Sequence, residues 1–120
     1  KFEGNTGPYI LYTYARAKSI LKKAKKSSKL KISNLTEQEK SLILELSKFP
    51  EEVKNSFEPL SPNIIANYVY FLSQKFNEFY HSNKVIGSEN ESFRISLVEA
   101  TSQVIKNSLN LLGIRTLEKM

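Results

Sequence analysis

Apolar residues in this chain recur mainly at intervals of three and four, the period of one face of an α-helix. Ile10, Tyr14, Ala17, Leu21 and Ala24 follow at spacings of four, three, four and three, with Pro8 just ahead of them. Proline is tolerated in the first turn of a helix, so the pattern predicts an amphipathic helix from Pro8 to about Lys26. Ser27, Ser28, Ser33 and Asn34 then break the period. Thr36-x-x-Glu39 follows as a capping box for a second helix carrying Leu42, Ile43 and Leu46. A short third helix is expected to begin at Pro50, to include Val53 and Phe57, and to yield near Pro59, because a proline pushes the preceding residue out of helical dihedrals.

The broadest apolar stripe comes next. Ser61 and Pro62 form a cap and first-turn pair, and Ile65, Tyr68, Val69, Leu72, Phe76, Phe79 and Tyr80 share one helical face. After a loop at Val85 to Gly87, Ser88-x-x-Glu91 reads as a second capping box. Leu97, Val98, Thr101, Val104, Ile105, Leu109 and Leu112 repeat behind it, and Gly113 is placed to end that helix. No alternating strand pattern and no internal repeat interrupts the series, so the predicted architecture is all-α, a bundle of about five helices.

With 120 residues there is room for one domain and one core. A hydrophobic content of 40% beside 25% charged residues fits a packed soluble domain and excludes a disordered or fibrous chain. Cysteine is absent, which removes disulfides and thiolate metal sites and fits a reducing compartment, the expectation being cytoplasm. No apolar run approaches the roughly 20 residues of a membrane helix, and KFEGNTGPY has no apolar signal core. The chain starts without methionine and inside a motif, and reads as one domain, residues 1–120, of a longer polypeptide.

The net charge of +6 is unevenly placed. From Arg16 to Lys31 the run RAKSILKKAKKSSKLK has no acidic residue, and such a field attracts polyanions. A solvated helix face running into a loop would look the same.

Catalytic chemistry finds no constellation. The lone His81 has no metal-ligating or nucleophilic partner at helical spacing, aspartate is absent, and the glutamates fall at caps and on polar faces. Gly4 and Gly7 do not follow a strand or fit a phosphate-loop spacing. Tyr9, Tyr12 and Arg16 are more informative: at about 100° per residue they share a face roughly 130° from the Ile10/Tyr14/Leu21 stripe. Aromatic and guanidinium planes exposed together suit unpaired bases, with lysines for phosphates. They equally suit docking onto another domain. Tyr80 is either the last core aromatic, which periodicity favours, or a second stacking platform near Lys84.

FEGNTGPYILYTYARAKSIL resembles the segment by which arginyl-tRNA synthetases enter their C-terminal helical domain, and SLVEATSQVIKNSLNLLGI resembles their closing helix. NYVYFLSQKFNEFYHSNKVIG is similar to the aromatic-rich middle helix of the same family, the DALR-type anticodon-binding domains. The resemblance implies a module that grips the anticodon stem-loop of an arginine tRNA. A separate catalytic domain, a partner of this one, would perform the ligation of arginine with ATP and Mg; neither its HIGH nor its KMSKS signature occurs here, and no cofactor is expected in this chain. It further implies tRNA contacts at Tyr9, Tyr12, Arg16 and Tyr80, at the terminal Met120, and an electrostatic one at Lys84. The sequence departs from the family pattern at Leu11, Tyr14 and Ser102. The rival readings are a helical protein–protein interaction module and a non-specific basic RNA-binding bundle.

Overall fold

The computed structural model describes residues 6–24, 34–57 and 62–113. Among these residues five helices follow in order: α1 (Thr6–Lys23), α2 (Glu37–Ser47), α3 (Phe49–Phe57), α4 (Pro62–Ser82) and α5 (Glu91–Leu111). No strand occurs among the described residues, so the all-α expectation holds. Ser27, Ser28, Ser33, Pro59, Ser61, Met120 and the Lys25–Lys31 part of the basic run lie outside the described residues.

The long apolar stripe makes α4 the hub, and each of the other four helices packs against it. Ile65, Tyr68, Val69, Leu72, Phe76 and Phe79 are all buried, each contributing about 1.5–3 kcal/mol of burial energy for a fully enclosed aliphatic or phenyl side chain. Ile10, Tyr14, Ala17 and Ile20 of α1 and Leu97, Val98, Ile105 and Leu109 of α5 form one cluster with Leu42 of α2 and with Tyr68, Val69, Leu72, Phe76 and Phe79 of α4. Leu21, predicted as core, is only half-buried, and Ile20 takes its place. Of the departures from the family pattern, Tyr14 is a core residue, Leu11 packs at the core's edge and Ser102 is buried on α5.

Local chemistry sets the ends. Thr36 caps α2 as expected: its Oγ1 accepts from Glu39 N at 3.1 Å, and Glu39 Oε1 accepts from Thr36 N at 2.8 Å. Lys22 and Lys23 occupy the last turn of α1, where cations oppose the negative end of the helix dipole. Gly113 has φ 78°, the left-handed geometry that ends α5. The second capping box does not form. α5 begins at Glu91 with Asn90 at the cap position. Ser88 Oγ instead donates to Val85 O at 3.0 Å, and Glu91 Oε1 accepts from Gly87 N at 2.6 Å. Gly87, at φ 84°, turns the chain so that its N–H faces Glu91.

Two polar contacts fix α2. Tyr68 Oη donates to Glu45 O at 2.7 Å while its ring packs on Phe49 at 5.9 Å. Burial, assisted by Glu45 and Glu52, pushes the Tyr68 phenol well above its ordinary range, so it remains a donor. At the other end Glu39, 1% exposed, accepts through Oε2 from Arg94 Nε at 2.7 Å. Arg94 also donates from Nη1 to Lys84 O at 2.7 Å. One carboxylate therefore starts α2 and anchors α5 together with the α4–α5 connection.

Glu39→Ala removes the carboxylate half of the capping box and leaves a nearly buried guanidinium without its counter-charge, which is expected to cost about 3–5 kcal/mol. Lys40→Ala, which loses an exposed pair with Glu37, is expected to cost less than about 1 kcal/mol. Urea unfolding of the two variants measures the contrast.

Candidate functional site

The face of α1 that carries Tyr9, Tyr12 and Arg16 does not look wholly into solvent. It lies against the last turns of α4, and Tyr9 and Arg16 are half-buried while Tyr12 is 49% exposed. Thr13 sits about midway between this face and the core stripe at 100° per residue, and it is fully buried. The helix thus buries two adjoining faces, one apolar and one polar.

Asn77 of α4, 7% exposed, meets the polar face. Arg16 has donors only, so the amide oxygen must face it: Arg16 Nη1 donates to Asn77 Oδ1 at 2.6 Å. Asn77 Nδ2 then donates to Tyr9 Oη and to Thr13 Oγ1, both at 2.9 Å. Thr13 spends its own proton on Tyr9 O at 2.9 Å. Every hydrogen-bonding group of the buried amide is used, as a site removed from water requires.

Held this way, Arg16 lies between two rings. Its Cζ is 4.8 Å from the centroid of Tyr12 and 4.3 Å from that of Tyr80, within the range where a cation is attracted to an aromatic face. Its Nη2 also donates to Tyr12 Oη at 2.6 Å. Tyr80, expected from periodicity to close the core, is 38% exposed. At the edge of the stripe it packs on a cation instead, with His81 edge-on at 5.4 Å. Tyr9 continues the aromatic surface the other way, its ring 5.5 Å from that of Tyr70.

Two open grooves flank this assembly. The first, about 710 Å³, is walled by Tyr9, Tyr12, Arg16, Gln74, Asn77, Glu78, His81 and Ser82, with Gln38 contributed by α2. Asn83 Nδ2 donates to Gln38 Oε1 at 3.4 Å and ties that residue to the end of α4. The second groove, about 450 Å³, is lined by Ile20, Lys23, Tyr80, His81, Asn83, Lys84, Val85 and Ile86. Its charged residues are lysines, whereas Glu78 sits in the first.

The structure therefore brings Tyr9, Tyr12, Arg16 and Tyr80 into one cluster and puts Lys84 beside Tyr80 in the second groove; Met120 lies outside the described residues. Sequence reasoning missed Asn77, Thr13, Gln38 and Gln74. A signal for Asn77 existed: Ser73 and Asn77, four apart, form a polar seam along the edge of the α4 stripe. Among the described residues no three His, Cys, Asp or Glu side chains converge as metal ligands. What the cluster offers is aromatic faces, a fixed guanidinium and hydrogen-bond donors, the equipment of a binding surface.

Residues 10–120 match the family described as "DALR anticodon binding domain". The chain belongs to this family. Similar proteins include the arginine–tRNA ligase of Alkaliphilus oremlandii, 46% identical over 99% of this chain and 22% of the ligase. That of Fusobacterium nucleatum is 42% identical over the same shares. Among solved structures, the Thermus thermophilus arginyl-tRNA synthetase superposes with TM-score 0.89 at 35% identity, covering 100% of this chain and 22% of its own. The Plasmodium falciparum arginyl-tRNA synthetase gives 0.86 at 34% identity, covering 98% and 22%. This DALR domain thus spans about a fifth of the length of the relatives it matches.

Because Asn77 Oδ1 and Tyr12 Oη both accept from Arg16 in the DALR domain, Arg16→Ala strands a buried acceptor. A loss of about 1–3 kcal/mol is expected in urea unfolding. Arg16→Lys, which keeps the charge but not the two-point donation, should recover only part of it.

Proposed function

We propose that this domain binds the anticodon stem-loop of an arginine tRNA, within a longer protein that joins arginine to that tRNA at the expense of ATP. The observation that carries the reading is the Tyr12–Arg16–Tyr80 stack, whose exposed ring faces border open grooves. Unpaired bases in an RNA loop are recognised by stacking on such planes and by hydrogen bonds to their edges. Lys23 and Lys84 in the second groove supply cations for phosphates of the same strand. The names of the relatives agree with this assignment.

The ligation chemistry belongs, in this reading, to the remainder of the protein. ATP and Mg would act there. The catalytic part of the same polypeptide is then this domain's second partner. No described helix is long and apolar enough to cross a membrane, and the proposed site of action is the cytoplasm, where tRNA is charged.

Base stacking contributes about 1–3 kcal/mol per base, so Tyr12→Ala and Tyr80→Ala should each weaken hairpin binding by about five- to 150-fold. Titration against the anticodon hairpin of an arginine tRNA, and against the same hairpin with its anticodon replaced, reads this out. Binding should favour the first hairpin and fall steeply with salt. Equal affinity for both hairpins would leave a non-specific basic bundle, and salt-independent binding a protein-docking module.

A further inference from the structure

The two phenols of the first groove are not equivalent to free tyrosines. Tyr9 Oη accepts from Asn77 Nδ2 at 2.9 Å, and Tyr12 Oη accepts from Arg16 Nη2 at 2.6 Å. A phenol that already accepts a hydrogen bond has its own proton left to give. One donor is a buried amide, and the other, Arg16, is held in place by it. The amide oxygen is claimed by Arg16, which leaves only the NH2 group for Tyr9 and Thr13. A reversed amide would place NH2 against a guanidinium that cannot accept.

We propose that Asn77 is a positioning residue of the first groove: its NH2 group turns the Tyr9 hydroxyl into an outward donor, and its oxygen holds Arg16 where the guanidinium does the same to Tyr12, so that the two hydroxyls recognise the acceptor edge of an unpaired nucleobase. This rests on the RNA-binding reading above and specifies its recognition chemistry. A base fits better than a phosphate because Glu78 offsets the charge of Arg16 in the same groove, and because ring surface from Tyr9 and Tyr12 lies beside the hydroxyls. Phosphates are matched instead by the second groove, where Lys23 and Lys84 stand. The chain of donation also accounts for the burial of Thr13: with its proton held by Tyr9 O, its oxygen is left to accept from Asn77. The network has one direction throughout.

Asn77→Asp tests this with little change of shape. The carboxylate still accepts from Arg16, but it has no proton to give, so the Tyr9 hydroxyl must turn inward and donate to it. Tyr9→Phe in the unaltered background should weaken binding of the anticodon hairpin about three- to tenfold, the range of one hydrogen bond. Asn77→Asp should weaken it by at least as much, and adding Tyr9→Phe to Asn77→Asp should cost nothing further. A hairpin made abasic at the recognised position should lose its sensitivity to Tyr9→Phe. Additive losses in the double variant, or full affinity for Tyr9→Phe, would overturn the proposal while leaving RNA binding intact. Failure of the unaltered protein to bind the hairpin would sink the RNA reading and this inference with it. Should Asn77→Asp not fold, amide exchange in the unaltered protein decides: both Asn77 side-chain amide protons should exchange slowly without RNA, and rapid exchange would refute the arrangement.

Discussion

The candidate site depends on a single desolvated amide. Asn77 stands at the seam where α1 crosses α4, with little access to water, and a polar group so placed must find partners within the protein. The partners available are two hydroxyls and a guanidinium from successive turns of α1. Satisfying the amide therefore fixes the rotation of α1 about its axis and the height at which it meets α4. From that register follow the place of Arg16, the ring contacts at Tyr12 and Tyr80, and the grooves on either side. Ordering the long Arg16 side chain is paid in folding, so a ligand meets a surface already formed.

The apolar half of the molecule was legible from periodicity alone. Ile10, Tyr14 and Ala17, the whole α4 stripe up to Phe79, and Leu97, Val98, Thr101, Ile105 and Leu109 on α5 went where a 3.6-residue period sends them, with Val104 at the margin. The Thr36/Glu39 box was equally plain, since both halves of the motif act within one turn. Tyr80 escaped because it lies at the margin of its stripe, where exposure depends on what an opposing helix offers, and here it offers a cation. Ser88 and Glu91 matched a cap by spacing, but the backbone turn at Gly87 captured the carboxylate first.

For the site itself, sequence yielded the members that carry recognisable chemistry and missed those that hold them. Tyr9, Tyr12 and Arg16 stood out as a face without an apolar reason to be buried. Asn77, Thr13 and Gln38 did not, because a small polar residue in a helix is ambiguous until its neighbours on another helix are known. The Glu39–Arg94 pair illustrates the same limit: it joins residues 55 positions apart, and no local spacing reports it.

Lys84 shows how the fold divides its labour between backbone and side chain. What Arg94 grips is the carbonyl oxygen of residue 84, a group common to all amino acids, while the Lys84 side chain itself is exposed. Fold and recognition draw on different atoms of the same residue. The side chain can therefore be exchanged, cation for aromatic or neutral, with little loss of stability, and the charge of the second groove is separable from the contact that holds α5.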